Sequence, residues 1–387
     1  MLRQATIVGA YEHPARKLPG RTVASVHAEV ALGALADAGL SLQDVDAYFC
    51  AGDAPGFGPL SMAEYMNLSL KYMDSTETGG SAPILHIGHA ATAIAQGLCH
   101  VALITLAGLP RQRRPLPPAA DPLMAAAHVG FERPFGDSLL ALYALAANRH
   151  MYEHGTTSAD LAEIKVAASL HAQYNMNALL PRPVTVDEVL DSPLISDPLH
   201  KLDCCVVTDG GGALVLVSPE VRRSLPRRGA KVLGYGEAPR HSGLGRTDIT
   251  YTGAVLSGPR AFNAAGLTPS DVQYASIYDS LTVTVLATLE DLGFCAKGEG
   301  AEFVRDGALV APHGRLPINT DGGALCNNHP SNRGGITKII EATRQLRGEA
   351  HEKVTVPDCQ IALVHGTGGW MSTRMGSATL LLGRDDA

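Results

Sequence analysis

Residues 36–47 read ADAGLSLQDVDA, and residues 263–275 read NAAGLTPSDVQYA. In both, a helix end is followed by a Gly suited to a C-cap, a Ser or Thr suited to an N-cap, and an Asp-Val pair. Gly39 and Gly266, the matching glycines, lie 227 residues apart. A second pair of segments recurs in the same order: HVALITLAG (His100–Gly108) and QIALVHGTGG (Gln360–Gly369), each after an Ala-rich or amphipathic helical stretch. Two matches in one order predict a duplicated chain.

Around these repeats, small residues at helical spacing, as in HAEVALGALADAGL (His27–Leu40) and HAATAIAQGL (His89–Leu98), predict closely packed helices. Each leads into a β-branched or apolar run, so the fold class is α/β, built on a buried sheet. The division predicted is residues 1–228 and 229–387. An excess segment at 111–199 is inserted in the first half, opening with the basic, Pro-rich RQRRPLPPAADP and carrying a helix near 158–174.

The 387 residues are 45% hydrophobic and 18% charged, which excludes disorder as the main state. A net charge of −7 gives no overall attraction to nucleic acid, and no apolar run approaches a membrane span. The seven Cys form an odd set in a long chain without a leader-like h-region, so free thiols in a reducing cytoplasm are expected.

Three further stretches carry chemistry: LDCCVVTDGGGALVLVS (Leu202–Ser218), LPRPVTVDEVLDSPLISDPL (Leu180–Leu199) and NTDGGALCNNHP (Asn319–Pro330). With the repeat and the insertion, they resemble the thiolase superfamily, in the branch of sterol-carrier-protein thiolases and thiolase-like aldolases. Asn328 stands where that family has a Gly before its His-Pro. The resemblance implies two βαβαβαββ halves in a five-layer αβαβα sandwich, with the insertion as a loop domain over the active site. It further implies a homodimer, acyl-CoA substrates with coenzyme A entering only as part of the substrate, no permanently bound cofactor and no metal.

A thiolase nucleophile is a Cys at a helix N-terminus, where the dipole and free N–H groups favour the thiolate. The matching turn here, TETGGSAPILHIGHAATAIAQG (Thr76–Gly97), contains no Cys, and Gly80 or Ser81 occupies the position. Ser81 is open to three readings: an acyl acceptor, a helix cap, or a bystander in chemistry that forms no acyl-enzyme. By resemblance, His329 activates a nucleophile or polarises the thioester carbonyl. His365 stands where thiolases carry a second Cys and retains proton-transfer capacity. Tyr278-Asp279 resembles the Tyr-Asp of thiolase-like aldolases, the phenol a proton donor and Asp279 a group orienting His329 or a water. Cys326 is the Cys inside an active-site motif, reactive or simply core.

Gly80, Gly366, Gly368 and Gly369 are candidate backbone donors to an oxyanion. Arg111, Arg113 and Arg114, with Arg182 as a further choice, are candidate CoA-phosphate ligands or solvated charges. His86 and His89, at i and i+3, lack a third metal ligand; His86 is expected to line the pocket and His89 to pack or meet a second copy. Cys204 and Cys205 are expected to point to opposite faces, with neither a shared metal nor a disulfide. The functional reading is an enzyme that makes or breaks a carbon–carbon bond beside an acyl-CoA thioester, as an acyltransferase. The alternatives are an aldolase working with a small OB-fold, zinc-ribbon partner, and a non-catalytic scaffold for such a partner.

Overall fold

The computed structural model describes residues 5–112, 130, 134, 138–240, 246–371 and 373–385. The strands are β1 (Thr6–Glu12), β2 (Ala47–Cys50), β3 (Tyr72–Ser75), β4 (Val101–Gly108), β5 (Leu194–Ser196), β6 (Leu199–His200), β7 (Gly210–Val217), β8 (Ala230–Arg240), β9 (Tyr274–Ile277), β10 (Ile361–Trp370) and β11 (Thr373–Arg384). The longer helices are α1 (Val23–Ala38), α2 (Pro59–Met66), α3 (Ala82–Ala95), α4 (Leu139–His154), α5 (Ser158–Ala172), α6 (Ala254–Ala265), α7 (Thr282–Asp291) and α8 (Gly335–Arg347).

The repeated motif folds the same way twice. Gly39 ends α1 at φ 71° and Gly266 ends α6 at φ 69°, both left-handed and free of a Cβ penalty. Ser41 and Thr268 then cap short 3-10 turns, with Asp44 and Asp271 returning to the cap N–H groups. Val45 and Val272 leave these turns extended, at ψ 121° and 122°, and lead into β2 and β9.

The duplication extends to the sheet. Its order is β3-β2-β4-β7-β1-β8-β11-β10-β9. In the first half β3, β2 and β4 are parallel, while β7 and β1 follow antiparallel. In the second, β9 and β10 are parallel and β11 and β8 antiparallel, with Ile318 bridging Ala275 in parallel outside β9, as β3 flanks β2. The halves meet where Thr6 and Ile7 of β1 pair with Lys231 and Ala230 of β8.

Three apolar clusters define five layers. Ile84, Ile87 and Ile94 of α3 and Ile336, Ile339 and Ile340 of α8 pack between the inner faces of the halves, against Phe49, Ile104, Val364 and Leu380. Val30, Ala34 and Leu35 of α1 and Met62 of α2 cover the outer face of the first half. Phe262 of α6 and Leu286 and Leu289 of α7 cover that of the second, where α4 and α5 from the insertion join the same cluster. The insertion is pinned there by His150 of α4, whose Nε2 lies 2.9 Å from Glu290 of α7. No helix among the described residues is long and apolar enough to cross a membrane.

Candidate active site

The site forms where α3 begins, β9 and β10 end, and the NNHP loop crosses from the far side. Gly322 and Gly323, at φ 93° and 62°, open a tight π-turn (Gly323–Asn327) that places Asn328 and His329 beyond it. A Cβ on Gly323 would fall 2.0 Å from Asp279 Oδ2, so both its left-handed backbone and that close approach require glycine. The loop rests on a buried polar network. Asn328 Nδ2 donates to Glu12 (2.8 Å), its Oδ1 accepts from Thr208 (2.6 Å), and Arg16 donates to Asn327 Oδ1 (2.6 Å) and Glu12 (2.8 Å). Asn328 thus fills the family's Gly position with a side chain that ties β1 to the loop.

His329 is held at its backbone by Thr208 Oγ1, 2.8 Å from its N–H, and on both ring nitrogens by neighbours. Its Nε2 is 2.7 Å from the Tyr278 hydroxyl and its Nδ1 is 3.4 Å from Cys205 Sγ. Burial pushes its pKa down to about 4, so the imidazole is neutral at pH 7. Tyr278 is 4% exposed, and burial raises its pKa well above the ordinary phenol value, with Cys205, Tyr143 and Asp279 adding to the shift and Arg333 opposing it.

Gly80 has no room for a side chain. A Cβ there would lie 2.6 Å from Tyr278 Cζ and 2.5 Å from Thr367 O. The room that a side chain at this helix N-terminus would occupy is filled by the Tyr278 ring. Gly80→Cys is therefore expected to expel Tyr278 and to cost about 1–3 kcal/mol of stability through overpacking. Chemical denaturation, together with an assay for thiolysis, checks this: a stable variant that gains thiolysis would show that the two side chains fit together.

The remaining candidates do not join the Tyr278–His329 contact. Ser81 is buried, and its hydroxyl donates to Thr78 O (2.8 Å) and lies 3.0 Å from Thr78 Oγ1, with no capping bond to α3. It is neither cap nor paired with a base; Pro83 within the first turn removes one N–H that a cap would serve. His365 lies on the opposite face of β10 from Gly366, which abuts Gly80 O and Ser81 Cα, because strand neighbours alternate. Its Nδ1 is 2.9 Å from Thr379 Oγ1, which also meets Ser257 of the outer helix α6, and burial drives its pKa down to about 3.

Asp279 does not orient His329. Its carboxylate accepts from the N–H groups of Ala324 (2.9 Å) and Leu325 (3.1 Å) and pairs with buried Lys338 at 2.8 Å, fixing the π-turn. Cys326 is fully buried in the outer cluster, its Sγ accepting from Lys165 Nζ at 3.2 Å, and burial raises its pKa. Gly366 and Gly368 have a packing reason for lacking side chains, since Cβ atoms there would fall 2.8 Å from Gly80 O and 1.6 Å from Thr78 O. Gly369 adopts φ 80° at the irregular end of the β10–β11 ladder.

Among the arginines, Arg111 donates to Val207 O (3.0 Å) and its N–H to Asp209 (2.9 Å), serving the turn before β7. Arg182 is exposed and paired with Glu188 at 2.8 Å, and Arg113 and Arg114 lie outside the described residues. His86 is buried against Phe49 and accepts from Thr76 N, while His89 sits at the surface between Asp74 and Glu237. Among the described residues no three His, Cys, Asp or Glu side chains converge as metal ligands.

Sequence reasoning missed three participants. Cys205 reaches His329 from an extended segment in which Cys205 N donates to Ser280 O and Val206 N to Ala324 O. Tyr143 of α4 hydrogen-bonds Ser280 and couples electrostatically to Cys205 and Tyr278. Arg333 clamps the α3 turn, pairing with Asp53 (3.1 Å) and Glu77 (2.7 Å), and Glu77 in turn accepts from Gly79 N. The vicinal cysteines were the one available signal, since alternation sends one of them to each face; Cys204 instead approaches His200 O.

Residues 236–384 match the family model described as thiolase C-terminal domain-like. The steroid side-chain-cleaving aldolase of Thermomonospora curvata is 35% identical over 362 residues, covering 89% of this chain and 90% of that protein. The chain belongs to the thiolase superfamily. Within it, the acetyl-CoA acetyltransferase of Methanothermobacter thermautotrophicus is 29% identical, over 95% of this chain and 97% of that one. The solved Ltp2-ChsH2(DUF35) aldolase superposes with a TM-score of 0.88 at 33% identity, covering 99% of this chain and 98% of that one. This thiolase-superfamily enzyme sits in the sterol-carrier-protein-like branch, and its likeness to aldolases runs over both halves and the insertion.

Proposed function

We propose that the enzyme is an aldolase: it cleaves an acyl-CoA bearing a hydroxyl on the β-carbon into a ketone or aldehyde and a shortened acyl-CoA. The observation that carries this is the Tyr278 phenol, which fills the room beside Gly80 and hydrogen-bonds His329 at 2.7 Å. Acyl transfer needs a nucleophile at the α3 turn, and Ser81 there has no base beside it. Retro-aldol cleavage needs none. A base removes the hydroxyl proton, the carbon–carbon bond breaks, and its electron pair enters the thioester enolate, which is then protonated at Cα.

Tyr278 and His329 suit the first step. As the substrate hydroxyl gives its proton to the phenol oxygen, Tyr278 passes its own to neutral His329 Nε2, so no buried phenolate has to persist. The relatives support a CoA ester of a steroid side chain as the first substrate to try, and a DUF35 protein as a partner, in the place of the OB-fold, zinc-ribbon partner that the family resemblance implies. Purified protein, with and without such a partner, is given a 3-hydroxyacyl-CoA alone, and separately a 3-ketoacyl-CoA plus CoA. Carbonyl release without added CoA is the expected result; CoA-dependent thiolysis would return the enzyme to the acyltransferases.

A further inference from the structure

We infer that Cys205 is the acid that protonates the enolate carbon, a role that rests on the aldolase reading. Retro-aldol cleavage moves one proton from the substrate oxygen to the substrate Cα, so the site needs a donor on the carbon side as well as a base on the oxygen side. Tyr278, His329 and Cys205 form a continuous chain: phenol oxygen to Nε2 at 2.7 Å, Nδ1 to Sγ at 3.4 Å. The imidazole can accept at one nitrogen while donating from the other. A proton taken at Tyr278 enters Nε2; Cys205 gives its S–H proton to Cα and regains one from Nδ1–H. The carbon–hydrogen bond formed and the oxygen–hydrogen bond broken balance, and every protein group ends neutral.

The contact with His329 singles out Cys205 among the described thiols, and three further features suit it to the role. It retains partial exposure, whereas Cys326 is fully buried in an apolar cluster. Its backbone is fixed on both sides of the site, by Ser280 O and, through Val206, by Ala324 O. Burial above all, with smaller contributions from Cys204 and Asp279, lifts its pKa to about 12, which keeps the group protonated and matched to a weakly acidic carbon rather than poised as a thiolate nucleophile. His365 cannot take this role, because it faces the other side of β10.

The half-reaction on carbon can be read without the aldol bond. Full-length protein is incubated with propionyl-CoA in D2O, and loss of the C2 protons is followed by NMR. Wild type should catalyse exchange, and Cys205→Ser and Cys205→Ala should lose it by about 100-fold or more. Undiminished exchange in both Cys205 variants, or a wild type that cleaves a hydroxyacyl-CoA yet exchanges nothing, overturns the assignment while the aldolase reading stands. A wild type that carries out thiolysis and no cleavage removes the aldolase reading, and this assignment with it. Intact-mass detection of an acyl group on Cys205 during turnover would make it a nucleophile and likewise overturn the role.

Discussion

Tyr278→Phe is expected to lower hydroxyacyl-CoA cleavage by about 1,000-fold, the middle of the range for removing a positioned proton-transfer group. The ring still fills the space beside Gly80 and beneath Thr367, so the fold should hold, at a cost of about 1 kcal/mol for the lost hydrogen bond to His329. Steady-state kinetics beside a thermal melt separates the two effects: a collapsed melting temperature would make Tyr278 structural, and retained turnover would remove it from the chemistry. The pH dependence has a fixed sign. His329 must be neutral to accept a proton, and burial sets its pKa at about 4. The wild-type kcat/KM should therefore stay flat on acidification from pH 8 through pH 6.5 and fall only toward about 4. A limb centred near pH 6.5 would mean that the imidazole is solvated in the working enzyme.

The second large effect is on stability. His86, His171 and His365 are each at most 1% exposed, and burial drives their pKa values down to about 4, 4 and 3. In the unfolded chain each returns to about 6.5, so between pH 6.5 and 4 the unfolded state binds protons that the folded state refuses. Stability is present in full above pH 6.5 and is lost as pH falls through that window. At about 1.4 kcal/mol per pH unit, each histidine is worth on the order of 3 kcal/mol, together comparable to a whole folding free energy. Glu341 works in the opposite sense: burial raises its pKa to about 7, so its folded form gains a proton on acidification and offsets about one histidine. Urea unfolding at pH 7.5 and pH 5 should show the midpoint falling by roughly 1 M. His365→Gln should shrink that difference, and an unchanged midpoint in wild type would show that these rings are already protonated in the fold.

The duplication was legible in the sequence because its signals are local. A left-handed Gly, a Ser or Thr cap and the Asp that answers it lie within a few residues, so Gly39 and Gly266 with their following turns encode the same helix-to-strand passage wherever they occur. The empty nucleophile turn and the candidacy of Tyr278 and His329 were also visible, since they depend on residue identity inside recognisable motifs. Which side chains meet was decided only by the tertiary structure. Alternation along β10 puts His365 and Gly366 on opposite faces, but only the packing of that strand against α3 says which face is the site. The same holds for Cys204 and Cys205, whose segment reaches His329 because the chain, after the insertion, runs between the Tyr278–Leu281 connection and the π-turn. Asp279 is adjacent to Tyr278 in sequence, yet it serves the backbone of the π-turn and Lys338. A buried carboxylate goes where unsatisfied N–H groups and a buried cation need it, and those partners are 45 to 59 residues away in the chain. Sequence alone therefore showed the repeat and the helix turn without a thiol; long-range burial brought Tyr278, His329 and Cys205 into one chain of contacts.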